Sequence, residues 1–203
     1  MDREKLRAEI GKPLVSVIVP NYNYARYLKS RLRSIIRQTY PHLQLIFIDD
    51  GSDDGSLKVA EDTLSGCSLP TKVITREANS GSVYEQWQRG IDLADGKYVW
   101  IAEADDVASP DLLATLVPLL ENNERVGLVY AQSTVIDTKN RIIDPTLFER
   151  VNNAIDPGKW SSPYSNTGRE EIRTALCVMN TIPNASAVLM RRSKLVAAGG
   201  VRQ

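Results

Sequence analysis

Cysteine, histidine and net charge are what this chain has least of. Cys67 and Cys177 are its only two thiols in 203 residues. They stand far apart and outside any Cys-x-x-C pattern, which argues against a disulfide framework and a cysteine-rich zinc site. His42 is the single histidine; it follows Tyr40-Pro41 in a turn, where a lone histidine is incidental. Lys plus Arg and Asp plus Glu both number 25, for a formal net charge of zero, so the basic footprint of a nucleic-acid binder is missing and no nucleic-acid partner is expected. No apolar run approaches the roughly 20 residues that span a bilayer. Met1 to Ile10 is charged and has no apolar h-region, so it does not read as a secretory signal. A soluble, cytoplasmic protein is expected. The 42% hydrophobic and 25% charged residues suit one globular domain with a sizeable core.

What is present in excess is acid at strand ends. Tyr98 to Asp106 reads Tyr-Val-Trp-Ile-Ala-Glu-Ala-Asp-Asp, an apolar run that stops in Glu103, Asp105 and Asp106. Like charges crowded there resist joint ionisation unless a proton or a cation relieves them. Mg²⁺ or Mn²⁺ suits that task, taking one or two carboxylates and leaving its other positions to water and substrate phosphates. The competing reading is a solvated acidic turn, with Asp106 or Ser109 capping the next helix.

A second apolar run, Leu43 to Ile48, ends the same way, in Asp49-Asp50-Gly51-Ser52-Asp53-Asp54-Gly55-Ser56. Ser52, Asp53 or Asp54 can cap a helix from Ser56 through Leu64, but Asp49 and Asp50 precede the turn and lie directly off the strand. Leu14 to Val19 reads as the first and central strand, stopped by Pro20, Asn21 and Asn23. Leu28, Leu32, Ile35 and Ile36 mark the apolar face of a helix whose Arg26, Lys29, Arg31, Arg33 and Arg37 read as a solvated face. Lys72 to Thr75 gives a third strand, and Asn79-Ser80-Gly81-Ser82 opens a helix carried by Val83, Trp87, Gly90, Ile91 and Ala94. Ser109-Pro110-Asp111 starts another helix, in which Pro118 predicts a kink or an early end. A strand follows at Gly127 to Ala131, reaching toward Ile136. From Thr138 to Asn180 the turn-rich sequence predicts a long, partly mobile segment with Trp160 and one helix near Glu170 to Val178. Ala185 to Met190 reads as a strand, Arg191 to Ser193 as a turn and Lys194 to Ala198 as a short helix.

This alternation predicts an α/β fold, a Rossmann-like, mostly parallel sheet with helices on both faces. Ligands in such sheets bind at the carboxyl ends of the strands. The loops at Pro20 to Asn23, Asp49-Asp50, Asn79 to Ser82 and Glu103 to Asp106 should then share one rim.

Val15 to Asn23, Gln38-Thr39-Tyr40, Asp49 to Asp54, and Ala94 to Tyr98 running into Glu103-Ala104-Asp105-Asp106, in this order and spacing over roughly the first 130 residues, a span typical of a domain, resemble glycosyltransferase family 2. The resemblance implies the A-type glycosyltransferase fold, a UDP- or dTDP-sugar donor, a divalent metal (Mn or Mg) as cofactor, and inverting transfer to a hydroxyl of a cell-surface glycan or lipid-linked acceptor. It places nucleotide contacts at Pro20, Asn21, Tyr22, Asp49, Asp50, Asn79, Glu103 and Ala104, with Asp50 on the uracil or thymine edge. Asp105 would be the main metal ligand and Asp106 its neighbour. Two positions depart from the family pattern. Glu103 stands where Asp is usual, and Glu85-Gln86-Trp87-Gln88 replaces an Ala-Arg-Asn segment. The family's catalytic base is expected beyond Gln203, so residues 1–203 read as one domain, with 13–130 the nucleotide-sugar half and 131–203 the start of a shortened acceptor half. Glu170 and Glu171 form the only late acidic pair and read as a helix start. The alternative reading is a non-catalytic sugar-nucleotide-binding or assembly module. Peripheral association with the inner face of the membrane fits a lipid-linked acceptor.

Overall fold

The computed structural model describes residues 11–202; the readings of Met1 to Ile10 and of Gln203 lie outside the described residues. The chain forms two compact units, residues 11–129 with 188–202, and residues 130–187.

The first unit is built on strands β1 (Val15–Asn21), β2 (Leu43–Asp49), β3 (Thr71–Thr75), β4 (Tyr98–Ile101), β5 (Leu128–Tyr130) and β8 (Val188–Arg191). Their order in the sheet is β3-β2-β1-β4-β8-β5. β1 pairs in parallel with β2 and β4, and β2 with β3, whereas β8 lies antiparallel to β4. The sheet is therefore mixed but mostly parallel, as the alternation predicts. β1 and β2 are buried along their whole length, which is why both read as unbroken apolar runs rather than alternating ones.

Helices α1 (Ala25–Ile36), α2 (Ser56–Leu64) and α4 (Leu112–Glu121) supply Leu28, Leu32 and Ile35, Ala60, and Leu113, Leu116, Val117 and Leu120 to one core with Val17, Val19, Leu45, Phe47 and Trp100. Helix α3 (Val83–Leu93) packs against β1 and β2. Ile18 meets it at Gly90, where a Cβ would fall 2.4 Å from Ile18 Cγ2; glycine lets the helix lie this close.

Five local expectations are corrected. β1 does not stop at Pro20 but runs to Asn21 beside β2. Proline, lacking an N–H, instead closes the pairing with β4, whose register ends at Ile18↔Ile101. The residues 185–187 form a 3₁₀ turn, so β8 begins only at Val188. Arg191 is no turn residue. It ends β8, is buried, and donates from Nη2 to the Leu120 carbonyl at 2.7 Å and from Nε to that of Val126 at 3.1 Å. Arg31 is not on the solvated face of α1 but fully buried. Helix α4 runs to Glu121, beyond Pro118.

The second unit, residues 130–187, carries the two-stranded pair β6 (Val135–Ile136) and β7 (Ile142–Asp144), helix α5 (Leu147–Asn153), and the short helix α6 (Gly168–Glu171), which continues as a π turn over Ile172–Leu176. The strand expected to reach Ile136 is thus two separate strands. Trp160 is buried and donates to the Tyr130 hydroxyl at 3.0 Å. Lys159 Nζ lies 2.8 Å from Glu171 and 4.8 Å from the Trp160 ring centre.

Candidate functional site

The parallel register brings the ends of β1 and β2 level, with Asn21 opposite Asp49. Asp49 is buried and accepts from Asn21 Nδ2 at 2.8 Å, Ser52 Oγ at 2.7 Å and the Ser52 N–H at 3.0 Å. Its bonds lock the turn and leave it committed to protein partners. Gly51 adopts φ +79°, and a Cβ there would fall 2.8 Å from the Ala78 carbonyl carbon, so glycine allows the turn to lie against the segment after β3. Asp54 accepts from the Ala25 N–H at 2.8 Å and the Ser56 N–H at 2.9 Å, tying together the starts of α1 and α2.

Asp50 has a different environment. It is wholly buried. Its Oδ2 accepts from the Ser80 N–H at 2.9 Å and the Ser80 hydroxyl at 2.6 Å. Gln86 Nε2 donates to the same oxygen at 3.4 Å. Its Oδ1 lies 3.3 Å from Arg76 Nε, an ion pair without hydrogen-bond geometry. One oxygen of a buried carboxylate therefore retains accepting capacity, which a ligand N–H can use. Gln86 also accepts the Asn21 N–H at 3.0 Å, linking β1, β2 and α3 at one point. Pro20 is buried beside Asn21, while Tyr22 and Asn79 are exposed. Asn79 Oδ1 accepts the Gly81 N–H at 2.7 Å. An open recess of about 500 Å³ lined by Ile48, Ile74, Arg76, Gln86 and Arg89 adjoins this corner without reaching the acidic turn.

The acidic turn follows β4. Glu103 is held from α3, where Trp87 Nε1 donates to Oε1 at 2.7 Å, and from α1, where Arg31 Nε donates to its carbonyl at 2.7 Å. Burial pushes its carboxyl up to about 7, against the Trp87 bond, and the Asp105 and Asp106 charges add to the rise. Ala104 is buried, Asp105 exposed and Asp106 half-buried. Desolvation and then the Asp106 charge raise the Asp105 pKa. The Tyr24 phenol is raised too, first by Asp105, which sets Tyr24 beside the same acids.

Arg31, Arg76, Ser80, Gln86 and Trp87 are site-forming residues that sequence reasoning passed over. Arg31 had a signal: it lies three residues after Leu28 and four before Ile35, on the buried stripe of α1. Gln86 and Trp87 fall in the stretch that departs from the family pattern, so that departure contributes two residues to the rim.

Among the described residues no group of three His, Cys, Asp or Glu side chains forms a metal-ligand cluster. A hard cation that takes one or two carboxylates and draws its remaining ligands from water and phosphate needs no larger cluster, and Asp105 and Asp106 are the two acids of the turn not bonded to Trp87. Glu103, engaged by Trp87, is turned to a protein partner instead. No described helix is long and apolar enough to cross a membrane.

Comparison with known proteins places this geometry in a family. The model described as glycosyl transferase family 2 matches residues 16–193. An uncharacterised glycosyltransferase of Haemophilus influenzae is 38% identical over 127 residues, 63% of this chain and 39% of the relative. A PGL/p-HBAD biosynthesis glycosyltransferase of Mycobacterium bovis is 32% identical over 147 residues, 70% of this chain and 57% of the relative. The chain thus spans between about two fifths and three fifths of the length of these relatives. S. aureus TarS 1-349 superposes with a TM-score of 0.68 at 20% identity, covering 92% of this chain and 49% of the other. A mannosyltransferase of Pyrobaculum calidifontis, solved with GDP-Man and Mn²⁺, gives a TM-score of 0.65 at 22% identity, covering 95% and 48%. The sheet is that of the A-type glycosyltransferase fold, and the chain belongs to glycosyl transferase family 2.

Proposed function

We propose that this chain carries the donor site of an inverting glycosyltransferase that moves a sugar from a UDP- or dTDP-sugar to a hydroxyl of a cell-surface glycan or lipid-linked acceptor. The observation that carries the reading is Asp50. It is a buried carboxylate at the carboxyl end of β2, with one oxygen free of hydrogen bonds, matched to the single N–H on the pairing edge of uracil or thymine. In this reading Pro20, Asn21 and Tyr22 border the base and ribose, and Asp49 and Asn79 hold the loops around them. Glu103 and Ala104 follow on the ribose and diphosphate side, and Asp105, with Asp106, faces the phosphates.

A divalent cation at Asp105 and Asp106 would act as a Lewis acid and template for the departing nucleoside diphosphate. The chain's own residues do the orienting. Trp87 and Arg31 fix the Glu103 segment, and Ser80 and Gln86 fix Asp50, so that donor orientation is built in before the ligand arrives. The solved relatives support a nucleotide donor in kind: TarS has been crystallised with UDP and with UDP-GlcNAc, and the P. calidifontis enzyme with GDP-Man. A base for the acceptor hydroxyl is not supplied by Glu170 or Glu171. Glu170 is paired with Arg173 at 2.6 Å, and Glu171 with Lys159 at 2.8 Å.

The test is turnover by a version extended to the length of the relatives, offered UDP-, dTDP- and GDP-sugars with hydroxyl acceptors. Release of UDP or dTDP is expected, with the anomeric configuration of the transferred sugar inverted in the product. Nucleotide binding without hydrolysis or transfer from any donor would favour the non-catalytic module.

A further inference from the structure

Of the basic residues Arg26, Lys29, Arg31, Arg33 and Arg37, only Arg31 is buried, and it is buried completely. A guanidinium removed from water needs compensating charge and hydrogen bonds. Arg31 finds both under the acidic turn. Its Nε donates to the Glu103 carbonyl at 2.7 Å, its Nη2 lies 3.8 Å from Asp106 Oδ2, and its guanidinium carbon sits 5.6 Å from the centre of the Trp100 ring in β4.

We propose that Arg31 is a positioning residue for the metal-binding turn, an internal counter-ion that holds the Glu103 backbone and Asp106 from below. The turn then presents Asp105 outward to the cation and the donor diphosphate. The proposal rests on the donor-site reading above for its ligands, but its geometry stands apart from that reading. One planar cation, reaching up from α1, spans the first and last acids of the turn. Asp106, facing Arg31, is thereby the held partner and Asp105 the presented one. Lysine could keep the charge but not the fork that reaches two acceptors at once.

The test uses the full 203-residue chain and UDP titrations with and without Mn²⁺. Loss of a group that orients a metal's ligands weakens metal binding by about 10- to 100-fold. Arg31→Met should therefore weaken Mn²⁺-dependent UDP binding by that factor and metal-free UDP binding by much less, because Asp50 and its partners are untouched while the Glu103 segment loses one of its two holds. Arg31→Lys should fall between the two. Equal Mn²⁺-dependent affinity in Arg31→Met would overturn the proposal. So would an equal loss with and without metal, the mark of a merely structural residue. A second measurement needs no nucleotide. In a double-mutant cycle of urea unfolding, Arg31→Met and Asp106→Asn should couple by about fivefold or more in the unfolding constant, and additivity would overturn the proposal. If Arg31→Met does not fold, Arg31→Lys takes its place in both measurements. A parent chain that binds no nucleotide with or without Mn²⁺ would sink the donor-site reading, and the cycle would then decide the role of Arg31 alone.

Discussion

Replacing Asp50 with alanine is expected to weaken UDP binding by about 10- to 100-fold and to destabilise the chain by about 3 kcal/mol. Both effects come from one carboxylate. Its Oδ2 accepts from the Ser80 N–H and hydroxyl, and truncation strands these donors where solvent does not reach the carboxylate. Each buried group left without a partner costs about 1–3 kcal/mol. Arg76 also loses its partner, but that side chain is 48% exposed, so water recovers part of the loss. The binding effect follows from the missing charge-assisted bond to the base N–H, worth roughly 1.5–3 kcal/mol. Asp50→Asn separates the two. Its amide can keep an oxygen toward either Ser80 or the base, so it should lose less of each than alanine does. Calorimetric UDP titration and urea unfolding of both variants read the difference. An Asp50→Ala chain with the parent's UDP affinity would remove Asp50 from the site.

The second large effect is on pH dependence. In the metal-free chain burial first, and then the Asp105 and Asp106 charges, raise the Glu103 carboxyl to about 7 from an ordinary value of 4.5. Because the folded-state pKa lies above the unfolded one, the folded chain keeps a proton that the unfolded chain releases. The contribution of Glu103 to stability is therefore fully present below pH about 4.5 and is lost as pH rises to about 7. At roughly 1.4 kcal/mol per unit, the loss amounts to about 3 kcal/mol at most. Glu103→Gln is neutral at every pH and keeps an oxygen for the Trp87 N–H, which is 2.7 Å from Glu103 Oε1 in the parent. It should match the parent near pH 4.5 and exceed it by up to about 3 kcal/mol above pH 7. Asp105, shifted in the same direction, adds to the slope in both proteins. Urea unfolding at pH 5 and pH 8, followed by tryptophan fluorescence, checks this. A variant-minus-parent difference that is the same at both pH values would show that Glu103 is ionised throughout.

Much of this fold is legible in the sequence because its central strands carry no polar interruptions. The run at Leu43 to Ile48 becomes β2 with one added residue, and the helix read from Ser56 through Leu64 has those bounds in the structure. Burial on both sheet faces leaves continuous apolar runs, and turn acids mark where the helices begin. The rim is legible for the same reason, since strand ends in a parallel sheet share one side. What the sequence hides is how the acids are divided among partners. Asp49 and Asp50 are adjacent and chemically identical, yet Asp49 serves its own turn and Asp50 reaches across to Ser80, thirty positions away. Nothing local distinguishes them. Arg31 shows two signals in conflict: its spacing is that of the core and its charge that of the surface, and the partners that resolve the conflict are far downstream, the Glu103 carbonyl 72 positions on and the Asp106 carboxylate just beyond it. Residues 130–187 are less legible, because short elements there are held by side chains such as Asn152, which donates to the Thr181 carbonyl at 2.9 Å, rather than by periodic apolar faces.

The most direct measurement is calorimetric titration of UDP and dTDP, with and without Mn²⁺, into this chain and into Asp105→Ala. Binding that Mn²⁺ strengthens in the parent, with the gain abolished by Asp105→Ala, is expected if the acidic turn holds the cation and diphosphate. Tight binding that ignores Mn²⁺, or an Asp105→Ala chain that keeps the full metal dependence, would contradict the assignment of Asp105 and move the phosphate contacts elsewhere on the rim.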